Sequence, residues 1–180
     1  PDIIATAKGI AGGYIPLGAT IVHEKIYDKI YEGTNQFIHG ITFSGHPVAC
    51  AAGLATLSYL EKNNLIDKCA ALGEYFLKKL SVLKKFSIVG DIRGKGLLIG
   101  IEFMADKKGK VPFEKEIEIS KKISIKAFAK GLIVQPGNGG IDGTLGDHII
   151  LVPPFIIKET EIDKTVEILE EVFFEVQESL

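Results

Sequence analysis

Lys8 sits in the run Ile3-Ile-Ala-Thr-Ala-Lys8-Gly-Ile-Ala-Gly-Gly13. An apolar, strand-like segment delivers this lysine into a glycine-rich turn. At the end of a buried strand an ammonium loses hydration. Its pKa then tends to fall and the amine becomes nucleophilic. That is the chemistry of a Schiff-base lysine. The alternative is an exposed loop lysine beside helix-breaking glycines. A second informative run is His39-Gly-Ile-Thr42-Phe-Ser-Gly-His-Pro47. Hydroxyls and glycines there precede a proline-started helix, and free amides at a helix start favour an anion such as phosphate. Thr42 or Ser44 capping a turn explains the same residues.

Other clusters are weaker. His39 and His46 straddle a turn with no third ligand in sequence, and Asp147-His148 is a lone pair. Hydrogen-bonding or surface roles suit these histidines better than metal ligation. Neither glycine-rich run has the spacing of a P-loop or of a dinucleotide fingerprint. Arg93 is the only arginine, so bidentate carboxylate recognition has one candidate.

The elements that must position these groups follow from pattern. Strands are predicted at Ile3 to Ala7, Gly18 to Val22, Ser87 to Asp91, Leu97 to Phe103, Leu132 to Gln135 and His148 to Val152. A turn is expected at Arg93 to Gly96, and Phe37 to Phe43 reads as partly β-like. Helices are predicted at Glu24 to Tyr31, Pro47 to Glu61, Asp67 to Leu83, Glu114 to Lys130 and Lys158 to Ser179. The chain of 180 residues carries 46% hydrophobic residues and a net charge of -2. That balance disfavours a general nucleic-acid binder. The apolar runs are too short and interrupted for a membrane span. Cys50 and Cys69 lack metal or disulfide spacing and suit buried free thiols in a reducing cytoplasm. The chain opens on Pro-Asp directly before a core-like strand, the expectation for a piece of a longer protein.

Four ordered runs carry a resemblance: PDIIATAKGIAGGYIPLGA, HGITFSGHPVACAAGLATL, DIRGKGLLIGIEF and GDHIILVPPFIIKETEID. Together they resemble the class III aminotransferases, which use pyridoxal phosphate, and specifically their C-terminal portion. The loop NGGIDGTLGDHIILVPPF is most like the omega-amino acid–pyruvate group.

The resemblance implies an α/β fold of the type I pyridoxal-phosphate transferases. Residues 1–60 would be the edge of the large domain, 61–85 a connecting helical region, and 86–180 a small α+β domain. It implies that Lys8 is the Schiff-base lysine. Thr42 would bind the cofactor phosphate in the neighbouring subunit, with Phe43 and Ser44 beside it, so a homodimer is expected. Amino donor and keto acid acceptor would be the small-molecule partners. An upstream aspartate, a phosphate loop and a ring-stacking aromatic belong to the family pattern before Pro1. This chain alone is therefore expected to be inactive. Positions where relatives carry a substrate arginine hold Leu145 and Ile150. That leaves the acceptor open, and with it an aminomutase or a non-catalytic, dimerising C-terminal half.

Overall fold

The computed structural model describes residues 1–33, 36–141 and 143–180. They divide into two units, Pro1–Asn64 and Leu65–Leu180.

The first unit begins with an antiparallel hairpin, β1 (Ile3–Ala7) and β2 (Gly18–Val22), in the register Ile3↔Val22 to Ala7↔Gly18. Lys8–Ala11 forms a 3-10 turn between them. Two helices follow, α1 (Glu24–Glu32) and α2 (Pro47–Lys62). Pro47 opens α2, where its missing N–H costs nothing. The expected burial of β1 is not met. Ile3 and Ile4 are 57% and 45% exposed, because the hairpin is a two-stranded ribbon. Phe37 to Phe43 forms no strand. Among the described residues, Ala11 and Ala49 are this unit's only buried hydrophobics.

The second unit holds the hydrophobic core. Its sheet is antiparallel, in the order β3 (Val89–Lys95), β4 (Leu98–Phe103), β6 (His148–Leu151), β5 (Gln135–Gly137). Alternation fixes its two faces. Ile92, Ile99, Ile101, Phe103, Ile149 and Leu151 are buried. Arg93, Gly100, Glu102, His148 and Ile150 share the opposite face, as the pairs Arg93↔Gly100, Gly100↔Ile150 and Glu102↔His148 require. Helices α3 (Leu65–Leu80), α4 (Ile119–Ala129) and α5 (Glu159–Gln177) pack on the buried side. The segment 61–85 therefore contributes Phe76, Leu80 and Leu83 to this core.

Two close approaches tie the layers together. A Cβ on Gly73 of α3 would overlap the backbone of Gly96, so glycine there lets the helix lie against the β3–β4 turn. That turn lies at Gly96 (φ 54), while Arg93 and Gly94 continue the strand, against the turn expected from Arg93. Asp147 is buried and its Oδ1 accepts from the Ser120 N–H (3.1 Å) and hydroxyl (2.6 Å). It thus caps the first turn of α4, where the Glu118 side chain makes no cap bond. Gly131 (φ 85) follows α4, as expected of a helix stop. The cysteines depart from expectation: Cys50 is exposed and Cys69 half-buried, both free. No helix among the described residues is long and apolar enough to cross a membrane.

Phe173 of α5 is fully buried and meets Phe86 and Phe103 edge-on at 5.9 and 5.4 Å. Phe173→Ala should cost about 3–5 kcal/mol. Native-state hydrogen exchange at the β4 amides checks this; a loss under about 1 kcal/mol would show that the cluster is not the keystone of the core.

Candidate active site

The first unit's small-residue surface sets the position of Lys8. The 3-10 turn buries Ala11 against α2. On the helix side the contact is made by Ala49 and Gly53, both buried. A Cβ at Gly53 would stand 2.6 Å from Leu17 Cδ2 and 3.7 Å from the Ile10 carbonyl oxygen. The Ala-rich composition of α2 is thus the socket for the lysine turn.

The turn itself is tightly determined. Gly12 N–H donates to the Gly9 carbonyl at 3.0 Å, and Tyr14 N–H to the Ala11 carbonyl at 3.1 Å. Gly12 and Gly13 are left-handed, at φ 59 and 78. Added bulk at Gly12 would meet the Tyr14 ring at 3.2 Å. Lys8 is also left-handed, at φ 53. For a residue with a Cβ that conformation is costly, and such outliers concentrate at functional positions.

Lys8 opens onto a cleft of about 990 Å³. Tyr14, Phe43, Ser44 and His46 line it with Lys8. Ser44 N–H donates to the Ile41 carbonyl at 2.9 Å, and its hydroxyl accepts from Ile41 N–H at 3.4 Å. His46 precedes α2 and its ring lies 6.2 Å from that of Phe43. Lys8, Phe43 and Ser44 line one cleft of this chain, whereas the resemblance places Phe43 and Ser44 with Thr42 in the neighbouring subunit's site. Thr42 is exposed in the same turn but is not among the residues lining it. Tyr14 and His46 were not anticipated. Their signals were the Gly-Gly pair before Tyr14 and the helix-opening proline after His46.

The substrate-arginine positions lie in the second unit. Ile150 sits on the outer face of β6, and Leu145 closes a small loop through its backbone with Ile141, at 2.8 and 3.1 Å. Arg93 is engaged by two carboxylates, Asp91 Oδ2 at 2.8 Å and Glu102 Oε1. These carboxylates, Glu102 foremost, raise the guanidinium pKa further above its ordinary value, and Arg93 holds Asp91 below the usual carboxylate range. Arg93 is an outward strand residue rather than a turn contact. Among the described residues no group of three or more His, Cys, Asp or Glu could hold a metal ion.

Comparison with known proteins adds an independent line. A family model described as aminotransferase class-III matches residues 1–173. An uncharacterised aminotransferase of Bacillus subtilis strain 168, YodT, is 39% identical over 181 residues, covering 100% of this chain and 41% of its own. A solved transaminase from the marine bacterium Virgibacillus superposes with a TM-score of 0.91 at 31% identity, covering 99% of this chain and 40% of that one. An amine transaminase from an uncultivated Pseudomonas species, solved with pyridoxal phosphate bound, gives a TM-score of 0.86 at 36% identity, covering 98% and 39%. The chain thus spans about two-fifths of the length of these relatives. Its mixed α/β architecture agrees with a C-terminal portion of that fold.

The left-handed lysine makes a conformational forecast. Lys8→Gly should leave the β1–β2 amides better protected from hydrogen exchange than Lys8→Ala, by about 1 kcal/mol, since only glycine adopts that backbone without strain. Equal protection in the two variants would mean that the Lys8 backbone carries no strain.

Proposed function

Because the chain belongs to the class-III aminotransferase family, we propose that Lys8 is the residue that attaches pyridoxal phosphate covalently in a transaminase. The observation that carries this reading is Lys8 itself. It is an exposed amine on a left-handed turn, in place of the buried strand end expected of it, and it opens onto a cleft of about 990 Å³. Among the described residues it has no ion-pair partner. A lysine that must form and release a covalent bond needs such an unengaged amine and open space beside it. The residues present therefore fit the group.

When bound, pyridoxal phosphate supplies an electron-withdrawing ring that stabilises negative charge on the substrate carbon bearing the amino group. This chain's residues bind, orient and move the proton. Lys8 would hold the cofactor through its side-chain amine. That amine, tethered at the end of β1, would be the group that moves a proton at the substrate carbon. The turn before α2 serves the phosphate. Ser44 contributes through its hydroxyl, since its N–H is already committed to Ile41. Phe43 packs beside it. Thr42 serves the neighbouring subunit's site, a role supported by its exposure outside the Lys8 cleft. On this reading the active protein is a homodimer.

The donor is an amine or omega-amino acid and the acceptor a keto acid. Likeness to an amine transaminase supports the first half. Ile150 and Leu145 stand where arginines would bind a carboxylate, which weighs against an acceptor held by an arginine at either position. Residues 1–60 form the edge of the large cofactor-binding domain and 86–180 the small one, with α3 of the connecting 61–85 region packed into the latter. Two free thiols agree with a reducing cytoplasm.

Borohydride reduction tests the assignment. In a protein that joins these residues to the remaining sequence found in the relatives, reduction should fix the cofactor on the peptide containing Lys8. Lys8→Ala should abolish both the adduct and transamination. The 180-residue chain alone should show no stable cofactor absorbance. An adduct on another lysine, or turnover retained by Lys8→Ala, would overturn the proposal.

A further inference from the structure

The glycine-rich loop after β5 carries one dipeptide with chemistry of its own, which the mechanism above does not use. Asn138 is the only one of the chain's four asparagines that precedes a glycine. Asparagine is thermolabile because the next residue's backbone nitrogen can attack its side-chain amide carbon. Glycine, with no Cβ, leaves that approach unhindered. The fold of the loop requires glycine at this place. Gly139 is left-handed, at φ 76, and a Cβ on it would stand 3.0 Å from the Gly143 carbonyl oxygen. Asn138 is exposed. Among the described residues neither its side chain nor the Gly139 N–H has a hydrogen-bond partner.

Asn63 and Asn64 are restrained by contrast. Asn63 Nδ2 donates to the Tyr59 carbonyl at 2.9 Å. The nitrogen that would attack Asn63, the Asn64 N–H, donates to the Glu61 carbonyl at 3.0 Å. Asn64 is followed by Leu65, a buried residue that opens α3, so attack by its nitrogen requires that side chain to move. The surroundings of Asn138 also give a product its place. Asn138 lines a cavity of about 240 Å³ with Lys115, Glu118, Ser120, Lys121 and Asp147. Lys121 is paired with Glu118 at 3.0 Å, whereas Lys115 has no ion-pair partner among the described residues.

We propose that Asn138 is a self-modifying site, converted without an enzyme to a carboxylate that enters this cavity and pairs with Lys115. The Gly139 nitrogen bonds to Asn138 Cγ and gives up its proton. The Cγ–Nδ2 bond breaks, and ammonia leaves with that proton. Water then opens the cyclic imide. Hydrolysis at Cγ gives aspartate; hydrolysis at the main-chain carbonyl carbon gives isoaspartate, with the backbone rerouted through Cβ and Cγ. The sum is water taken up and ammonia lost, with no oxidant or reductant. Either product carries a new negative charge beside α4, and Lys8 takes no part.

The chain is incubated in mildly alkaline buffer made with heavy-oxygen water, either folded or in guanidinium, then digested and read by mass spectrometry. In the folded chain the Asn138 peptide should gain the amide-to-acid mass together with heavy oxygen, and split into aspartyl and isoaspartyl forms. Folding should slow conversion of Asn63 by about ten-fold or more, since two hydrogen bonds must break first. It should leave Asn138 within about two- to three-fold of its unfolded rate, since nothing there must break. Asn138→Gln should show no mass gain at that position, because the larger ring closes far more slowly. Asn138→Asp, the aged form, should shift the side-chain resonances of Lys115 and leave the β4 amides unchanged. No mass gain at Asn138, or protection on folding as strong as that of Asn63, would overturn the proposal. So would Lys115 resonances unmoved by Asn138→Asp.

Discussion

The candidate site depends on one packing constraint: the lysine turn can lie where it does only because α2 presents small residues to it. Ala11 is fully buried against that helix, and at Gly53 even one added carbon would crowd Leu17. The turn has almost no other apolar support in its unit. Close packing there substitutes for a core and converts a flexible glycine-rich segment into one with a fixed lysine. The left-handed backbone at Lys8 is tolerated because strand pairing on one side and the Gly12 and Tyr14 hydrogen bonds on the other leave the chain little choice.

The second unit is organised differently. Its stability comes from a conventional core in which three helices cover one sheet face. Phe173 touches both Phe86 and Phe103, and Gly73 lets α3 approach the β3–β4 turn. That arrangement frees the other face. Period-two alternation puts every second residue outside, and there the sequence places charge, histidine and glycine instead of continuing the apolar pattern.

Much of this was legible beforehand. The hairpin, α2 and the closing helix α5 follow from runs whose apolar spacing is unambiguous, and their ends fall within two residues of expectation. Legibility failed where neighbours decide. Leu132 to Gln135 reads as a strand from its β-favouring residues, yet pairing begins at Gln135, opposite Ile150, and runs on to Gly137, opposite His148. Arg93 in Arg-Gly-Lys-Gly reads as a turn, but the cross-strand partners Gly100 and Leu98 carry the strand through to Lys95. The ribbon's exposed faces could not be foreseen, since an apolar strand signals burial without saying by what. At the site, the types and spacing of Lys8, Phe43 and Ser44 pointed to two turns, and both turns line one cleft of this chain. Tyr14 and His46 carry only weak local signals, a preceding Gly-Gly pair and a following proline, because cleft walls are set by how the hairpin meets α2.

The most direct test of this account fills the socket without touching the lysine. In the cofactor-binding protein, Gly53→Leu should displace the 3-10 turn. Cofactor occupancy, read from visible absorbance at saturating pyridoxal phosphate, should fall well below the parent's while exchange protection of the β4 amides stays unchanged. Full occupancy with parental turnover would show that α2's small-residue face does not position Lys8, and would contradict the account at its base.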